Sequence, residues 1–280
     1  MITYDTHVHT SYSTDSSTPP RRQLDQAVKC GLHGICLTDH MDYGFPKEQY
    51  GSPLPAGEIP FLLDVSSYID ELQNLKAHYP ALRILVGMEC GLQAQPDILA
   101  KNRELTADPS LDYIIGSLHL VHRQDPYHKD FWNGRDPSRC VLDYLEELYQ
   151  NLSIFTDFDA LGHLDYIVRY APADFIYEPM AYREILEEIL KILVHKDIAL
   201  EINTSGFKSS AYPNPHPDIL ALYQKLGGEM VTIGSDAHTP DYLTYRFDQL
   251  PALINKTGLR QYVTFHRRRP QFHTLDPGCR

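Results

Sequence analysis

Imidazole and carboxylate side chains recur at one kind of position along this chain, the end of a short apolar run. The first run ends in His7-Val8-His9, the second in Thr38-Asp39-His40 and the third in Gly87-Met88-Glu89. The fourth leads into Ser117-Leu118-His119, the fifth into Gly162-His163 and the last into Ser235-Asp236-Ala237-His238. Imidazole with carboxylate, and without thiolate, suits Zn, Fe or Mn and disfavours an all-oxygen calcium site. One H-x-H carries little weight, because histidine supplies 14 of the 280 residues. Six run ends carrying such groups weigh far more, since packed as ordinary core each would need a partner for its buried polar group. Residues two apart on a strand share a side, which pairs His7 with His9 and Asp236 with His238. The sequence predicts a multinuclear metal centre, with Asp15 near enough behind the first run to reach it. The sixth run ends in Glu201-Ile202-Asn203.

Residues from both ends of a chain meet in this way when the runs are parallel strands, whose C-terminal ends share one face. Strands are predicted over 2–7, 34–38, 83–89, 113–117, 160–163, 198–203 and 230–235, with the weak polar alternation of strands covered on both sides. Thr18 before Pro19-Pro20 predicts a helix N-cap and Gly31 its stop; Asp64 and Ser138 predict two further caps, the first helix ending at Pro80. The clearest helix is 179–196, where Tyr182, Ile185, Leu186, Ile189, Leu190 and Leu193 form one stripe. Pro217 opens another, which Gly227-Gly228 stops. Seven strand–helix units predict an α/β chain with a parallel sheet, open or closed into a barrel, with 1–280 as one domain. Two irregular stretches follow strands on the side where barrel enzymes carry substrate loops. They are 42–60, with Tyr43, Phe45 and Tyr50, and 122–137, with Tyr127, Phe131 and Trp132.

Composition removes other classes. Hydrophobic residues at 42% and charged residues at 22% exclude disorder as a description of the whole. No apolar run approaches the roughly 20 residues of a membrane span, and Met1–Asp5 offers neither the basic nor the apolar part of a secretory signal. A net charge of −12 argues against a nucleic-acid surface. Arg267-Arg268-Arg269 reads as a solvated tail, and His33, His78, His195, His266 and His273 as surface residues. Cys30, Cys36, Cys90, Cys140 and Cys279 are odd in number and scattered, which predicts a reducing compartment, the cytoplasm.

Taken together, the strand-end motifs resemble the PHP (polymerase and histidinol phosphatase) superfamily in order and spacing. The surrounding residues resemble its histidinol-phosphate phosphatase branch: His9-Thr10-x-Tyr12-Ser13-x-Asp15, Asp39-His40-Met41-Asp42, Asp112-Tyr113-Ile114-Ile115-Gly116-Ser117, Gly162-His163-Leu164-Asp165 and Glu201-Ile202-Asn203-Thr204-Ser205-Gly206. The likeness runs from Asp5 to about His238. It implies a distorted seven-stranded (β/α) TIM-like barrel holding three divalent transition metals, Zn, Fe or Mn. One ion would take His7, His9, Glu89 and Asp236; a second would share Glu89 and add His119 and His163; a third would take Asp15, His40 and His238. Where some superfamily members carry histidine, the carboxylate of Asp15 matches this branch.

The reaction so implied is metal-dependent hydrolysis of L-histidinol phosphate to L-histidinol and phosphate, a step of histidine biosynthesis. A hydroxide held by the ions of Glu89, Asp236, His7 and His9 would attack phosphorus in line. Arg169 and Lys208, in the loops after the fifth and sixth runs, are the resemblance-supported phosphate ligands, and Ser117 is a further candidate for substrate contact. Tyr43, Trp132, Asp42 and Asp125 could wall the alcohol's pocket or simply anchor the loops. Other readings stay open: a different phosphomonoesterase or phosphodiesterase of the superfamily, an amidohydrolase, or a non-catalytic metal-binding barrel. Against the amidohydrolase, the fourth run lacks the lysine such enzymes often use. The expected partner is a small phosphate monoester, with no nucleic acid and no membrane; oligomeric state is left open.

Overall fold

The computed structural model describes residues 1–50 and 59–275; Cys279 and the middle of the 42–60 loop lie outside them. All seven predicted strands form, as β1 (Tyr4–Val8), β2 (Gly34–Leu37), β4 (Arg83–Gly91), β5 (Tyr113–Ser117), β6 (Ala160–Leu161), β7 (Ala199–Asn203) and β8 (Val231–Gly234). They pair in parallel in that order, and a two-residue strand β3 (His40–Met41) continues β2 beyond Thr38-Asp39 and also pairs with β4. The ends of the sheet meet: Asp236 N–H donates to His7 O at 2.8 Å and His9 N–H to Ala237 O at 3.0 Å. The result is a near-closed seven-stranded barrel, and its closing seam runs through three of the predicted ligands, His7, His9 and Asp236.

Helices fill the connections: α1 (Pro20–Lys29), α2 (Val65–Lys76), α3 (Pro96–Thr106), the short α4 (Lys129–Trp132), α5 (Pro137–Ile154), α6 (Arg183–His195), α7 (Pro217–Lys225) and α8 (Leu250–Thr257). On α6, Leu186, Ile189, Leu190 and Leu193 are fully buried, as the stripe predicts, although 179–182 is a separate 3₁₀ turn. Asp64 caps α2 as predicted, accepting the N–H groups of Ser66 and Ser67. Two caps differ from expectation. Asp136, one residue before Pro137, caps α5 by accepting from Ser138 N–H, so Ser138 is the capped residue. Pro19 occupies the cap of α1 without a side-chain bond, because the Thr18 hydroxyl donates to His238 O at 2.9 Å. Among the described residues, no helix is long and apolar enough to cross a membrane.

The arginine cluster is not a solvated tail. It forms the turn of a hairpin, β9 (Gln261–His266) with β10 (Arg269–Thr274), whose connecting residues Arg267 and Arg268 both have positive φ. That is the backbone of a two-residue hairpin turn usually signalled by Asn-Gly. Val263 and Phe265 pack against Cys36, Leu85, Tyr113, Ile115, Ala160 and Ala199, closing the barrel at the end where its strands begin. Arg268 bonds Thr106 O at 2.8 Å and Asp157 O at 3.2 Å, and lies 2.6 Å from Asp159 Oδ2 as an ion pair. His266 and His273 are likewise structural, His266 beside Asp112 at 2.8 Å and His273 against the rings of Tyr4 and Tyr262. Arg268→Ala strands the buried Asp159 carboxylate, so urea denaturation is expected to show a loss of about 2–3 kcal/mol.

Candidate metal centre and substrate cavity

Strand alternation delivers the ligands to one mouth. His7, fully buried on β1, and His9, just beyond it, have their Nε2 atoms 3.0 Å apart. Glu89, near the end of β4, stands between five imidazoles. Its Oε2 is 3.1 Å from His7 Nε2, 3.1 Å from His40 Nδ1 and 3.4 Å from His9 Nε2. Its Oε1 is 2.9 Å from His163 Nε2 and 3.2 Å from His119 Nε2. Asp236 Oδ1 lies 3.3 Å from His9 Nε2 and 3.8 Å from His7 Nε2. Nearer solvent, Asp15 Oδ2 is 3.0 Å from His238 Nε2 and 3.5 Å from His40 Nε2. All nine sequence-predicted ligands therefore converge.

Asp236 is held in the left-handed region, φ 55°, which non-glycine residues seldom adopt. Arg169 Nη1, Ser205 Oγ and Asn203 Nδ2 all donate to its Oδ2, at 3.0, 3.1 and 3.3 Å. The surroundings over-determine that conformation and aim Oδ1 at His9.

The donor set fits divalent ions. Glu89 Oε2 and His40 Nδ1 are buried, close to their neighbours, and yet without an aligned hydrogen bond. Some ring nitrogens pair with carboxylate oxygens, as His163 and His119 do with Glu89 Oε1, yet three imidazoles also crowd Glu89 Oε2 within 3.4 Å. Four overlapping groups can each surround an ion: His7, His9 and Glu89; Glu89, His119 and His163; His9, His40 and His238; and His40, Asp42 and His119.

Burial alone would raise the Glu89 carboxyl, but His7, His40 and His119 hold it well below its ordinary value. Burial opposes protonation of His119, yet Asp42 and Glu89 outweigh it and lift the imidazole to about 10. His7 and His40 are raised by neighbouring carboxylates in the same way, whereas burial and the adjacent His238 and His40 push His9 down to about 3.

An open cavity leads down to these residues. Its deep part is lined by seven of the nine ligands, His7 and His9 lying buried behind them, with Phe45, Phe61, Tyr166, Tyr170, Asp125 and Arg169; Tyr127, Lys208 and Ser209 lie farther out. Arg169 donates through Nε to Asn214 Oδ1 at 2.7 Å and through Nη1 to Asp236, leaving Nη2 buried and unpartnered. Lys208 borders the outer cavity with its ammonium 4.1 Å from the centre of the Tyr242 ring.

Ser117, a candidate for substrate contact, is corrected, and the two readings left open for Trp132 and Tyr43 resolve toward loop anchoring. Ser117 is fully buried and does not line the cavity; its hydroxyl donates to Glu89 Oε1 at 2.6 Å. Trp132 is buried and anchors its loop, donating Nε1–H to Pro126 O at 2.8 Å. Tyr43 lies outside the cavity, its carbonyl accepting from Gln93 and its ring under Lys101. Asp42 does reach the deep cavity, but its oxygens lie 3.0 and 3.2 Å from His119 Nδ1. The aromatic walls missed from the sequence, Tyr166 and Tyr170, flank Arg169 on a 3₁₀ turn after His163. Their spacing on either side of the arginine was the available signal.

A parallel barrel gathering imidazoles and carboxylates around shared points at one mouth is a framework able to bind metal. The chain belongs to the PHP domain family, whose model matches residues 5–205. It is 30% identical over 268 residues to "Histidinol-phosphatase" of Lactococcus lactis, with 95% of each chain covered. It is 29% identical to "Probable histidinol-phosphatase" of Clostridium acetobutylicum, covering 95% of this chain and 98% of the other. The crystal structure of the L. lactis histidinol phosphate phosphatase complexed with zinc, L-histidinol and phosphate superposes with a TM-score of 0.84 at 28% identity. That alignment covers 96% of this chain and 98% of the other.

Coordination needs neutral imidazoles, so metal must displace the protons that the carboxylates hold on His7, His40 and His119. Because those groups are raised, apparent affinity falls as pH falls. Zinc added to metal-free protein in weak buffer at pH 7.5 is expected to release more than one proton per chain, read with a pH indicator. Uptake without proton release would contradict this.

Proposed function

We propose that this chain is a metal-dependent phosphoric monoester hydrolase that converts L-histidinol phosphate to L-histidinol and inorganic phosphate. The observation that carries the reading is the unpartnered nitrogen of Arg169 in the same deep cavity as seven of the nine convergent ligands. We assign three ions: one to His7, His9, Glu89 and Asp236, one to Glu89, His119 and His163, and one to Asp15, His40 and His238. Zn, Fe and Mn all suit these donors. When bound, such ions neutralise phosphoryl oxygens and acidify the attacking water.

The chain's own residues bind and orient the substrate. Arg169, clamped between Asn214 and Asp236, offers its third nitrogen to a phosphoryl oxygen, and Lys208 supplies a second positive charge from the outer wall. Asp125 is the acid of the alcohol pocket: its Oδ1 accepts from Tyr127 N–H at 2.8 Å, and Oδ2 takes no hydrogen bond from any described residue. With Tyr166, Tyr170 and Phe61 it offers an aromatic and anionic surface to an imidazole ring and an ammonium group. The same proposal treats 1–280 as one domain, which the closing seam and the returning hairpin support. It also places the enzyme in the cytoplasm, in keeping with four cysteines that are all unpaired among the described residues.

A substrate panel tests the reading. Steady-state phosphate release from L-histidinol phosphate is expected to exceed that from AMP, glycerol phosphate and p-nitrophenyl phosphate by at least about 10²-fold in kcat/KM, since several polar and aromatic contacts to one alcohol discriminate on that scale. Equal rates on all four would leave a general phosphatase.

A further inference from the structure

Glu201, the middle residue of β7, is fully buried and belongs to none of the ligand groups. Its Oε1 lies 2.5 Å from His7 Nδ1, the nitrogen opposite the one that faces Glu89 and His9. Its Oε2 accepts the backbone N–H of His163 at 2.8 Å and Asn203 Nδ2 at 3.1 Å. The space is provided by Gly234: a Cβ there would stand 2.8 Å from Glu201 Oε1 and 2.3 Å from His7 Cβ. One carboxylate thus touches the ring of one predicted ligand and the backbone of another, across the barrel interior.

We propose that Glu201 is a positioning residue of the metal centre, fixing His7 as the Nδ1–H tautomer so that Nε2 turns its lone pair to the ion. This rests on the reading that His7 and His163 hold divalent metal. Neutral imidazole has one N–H and one lone pair, and the hydrogen bond made by one nitrogen decides which the other presents. An anion at Nδ1 takes the proton and also strengthens Nε2 as a donor to metal. Glutamine cannot replace it. His7 Nδ1–H approaches one oxygen, the His163 and Asn203 N–H groups approach the other, and an amide would turn its own NH₂ against one side.

Metal-stripped wild type and Glu201→Gln are titrated with zinc against a chromophoric zinc chelator, and both are melted with and without zinc. Wild type is expected to take up zinc. In Glu201→Gln the affinity of at least one ion falls about 10–100-fold, and the zinc-induced rise in melting temperature shrinks, while the metal-free melting temperature stays within a few degrees of wild type. Equal zinc affinities in the two proteins would overturn the inference and leave the metal centre standing. A wild type that takes up no zinc would overturn the metal reading itself, and this inference with it. If the variant does not fold, ¹⁵N NMR of the zinc-loaded wild type decides: a proton on His7 Nδ1 is expected, and a proton on Nε2 would overturn the inference.

Discussion

Glu89→Gln is expected to lower kcat/KM for L-histidinol phosphate by about 10³-fold or more and to reduce the zinc recovered per chain. No other side chain touches as much of the centre. One oxygen meets His119, His163 and the Ser117 hydroxyl; the other lies within 3.4 Å of His7, His9 and His40. Its charge is also what holds several of these imidazoles in place against burial. An amide of the same shape removes that charge and turns an NH₂ toward nitrogen atoms that need an acceptor. Phosphate release and elemental analysis of the purified variant check both parts. Near-normal turnover with a full complement of metal would show that Glu89 bridges nothing.

Arg169→Ala is the second large effect, an expected loss of about 10²–10³-fold in kcat/KM with zinc content retained. Two of its nitrogens are spent on Asn214 and Asp236, so the guanidinium arrives with its orientation fixed. The third nitrogen is buried without a partner, a costly arrangement unless an anion completes it. Arg169→Lys recovers little, because an ammonium cannot hold both anchors and the substrate at the planar fork's spacing. Activity within threefold of wild type in the alanine variant would remove Arg169 from the phosphate site.

The sequence made the metal centre legible because its information is local. Each ligand sits at the end of an apolar run, and parallel strands bring such ends together whatever the loops do. That rule placed His7, Glu89, His163 and Asp236 at one mouth before any contact was known. The cavity walls were harder to read, because loop residues gain their places from contacts distant in sequence. By type Tyr43 and Trp132 could be wall residues or loop anchors, and they anchor loops, while Tyr166 and Tyr170 reach the cavity through a 3₁₀ turn that carries no periodic stripe. Ser117 was placed at the right strand end, but whether it meets substrate or Glu89 depends on the space beside it. Gly162 creates that space, since a Cβ there would lie 2.3 Å from the Ser117 hydroxyl. The hairpin was missed for a backbone reason: arginines occupy left-handed turn positions where glycine or asparagine normally gives the signal.

Hydrolysis of L-histidinol phosphate by stripped and zinc-reconstituted protein, with bound metal counted by elemental analysis, bears most directly on the whole account. Stripped protein is expected to release no phosphate above background, and activity should return in proportion to zinc until about three ions are bound per chain. A full rate from protein holding less than about a tenth of an ion per chain would contradict it, because the nine convergent ligands would then have no part in the chemistry.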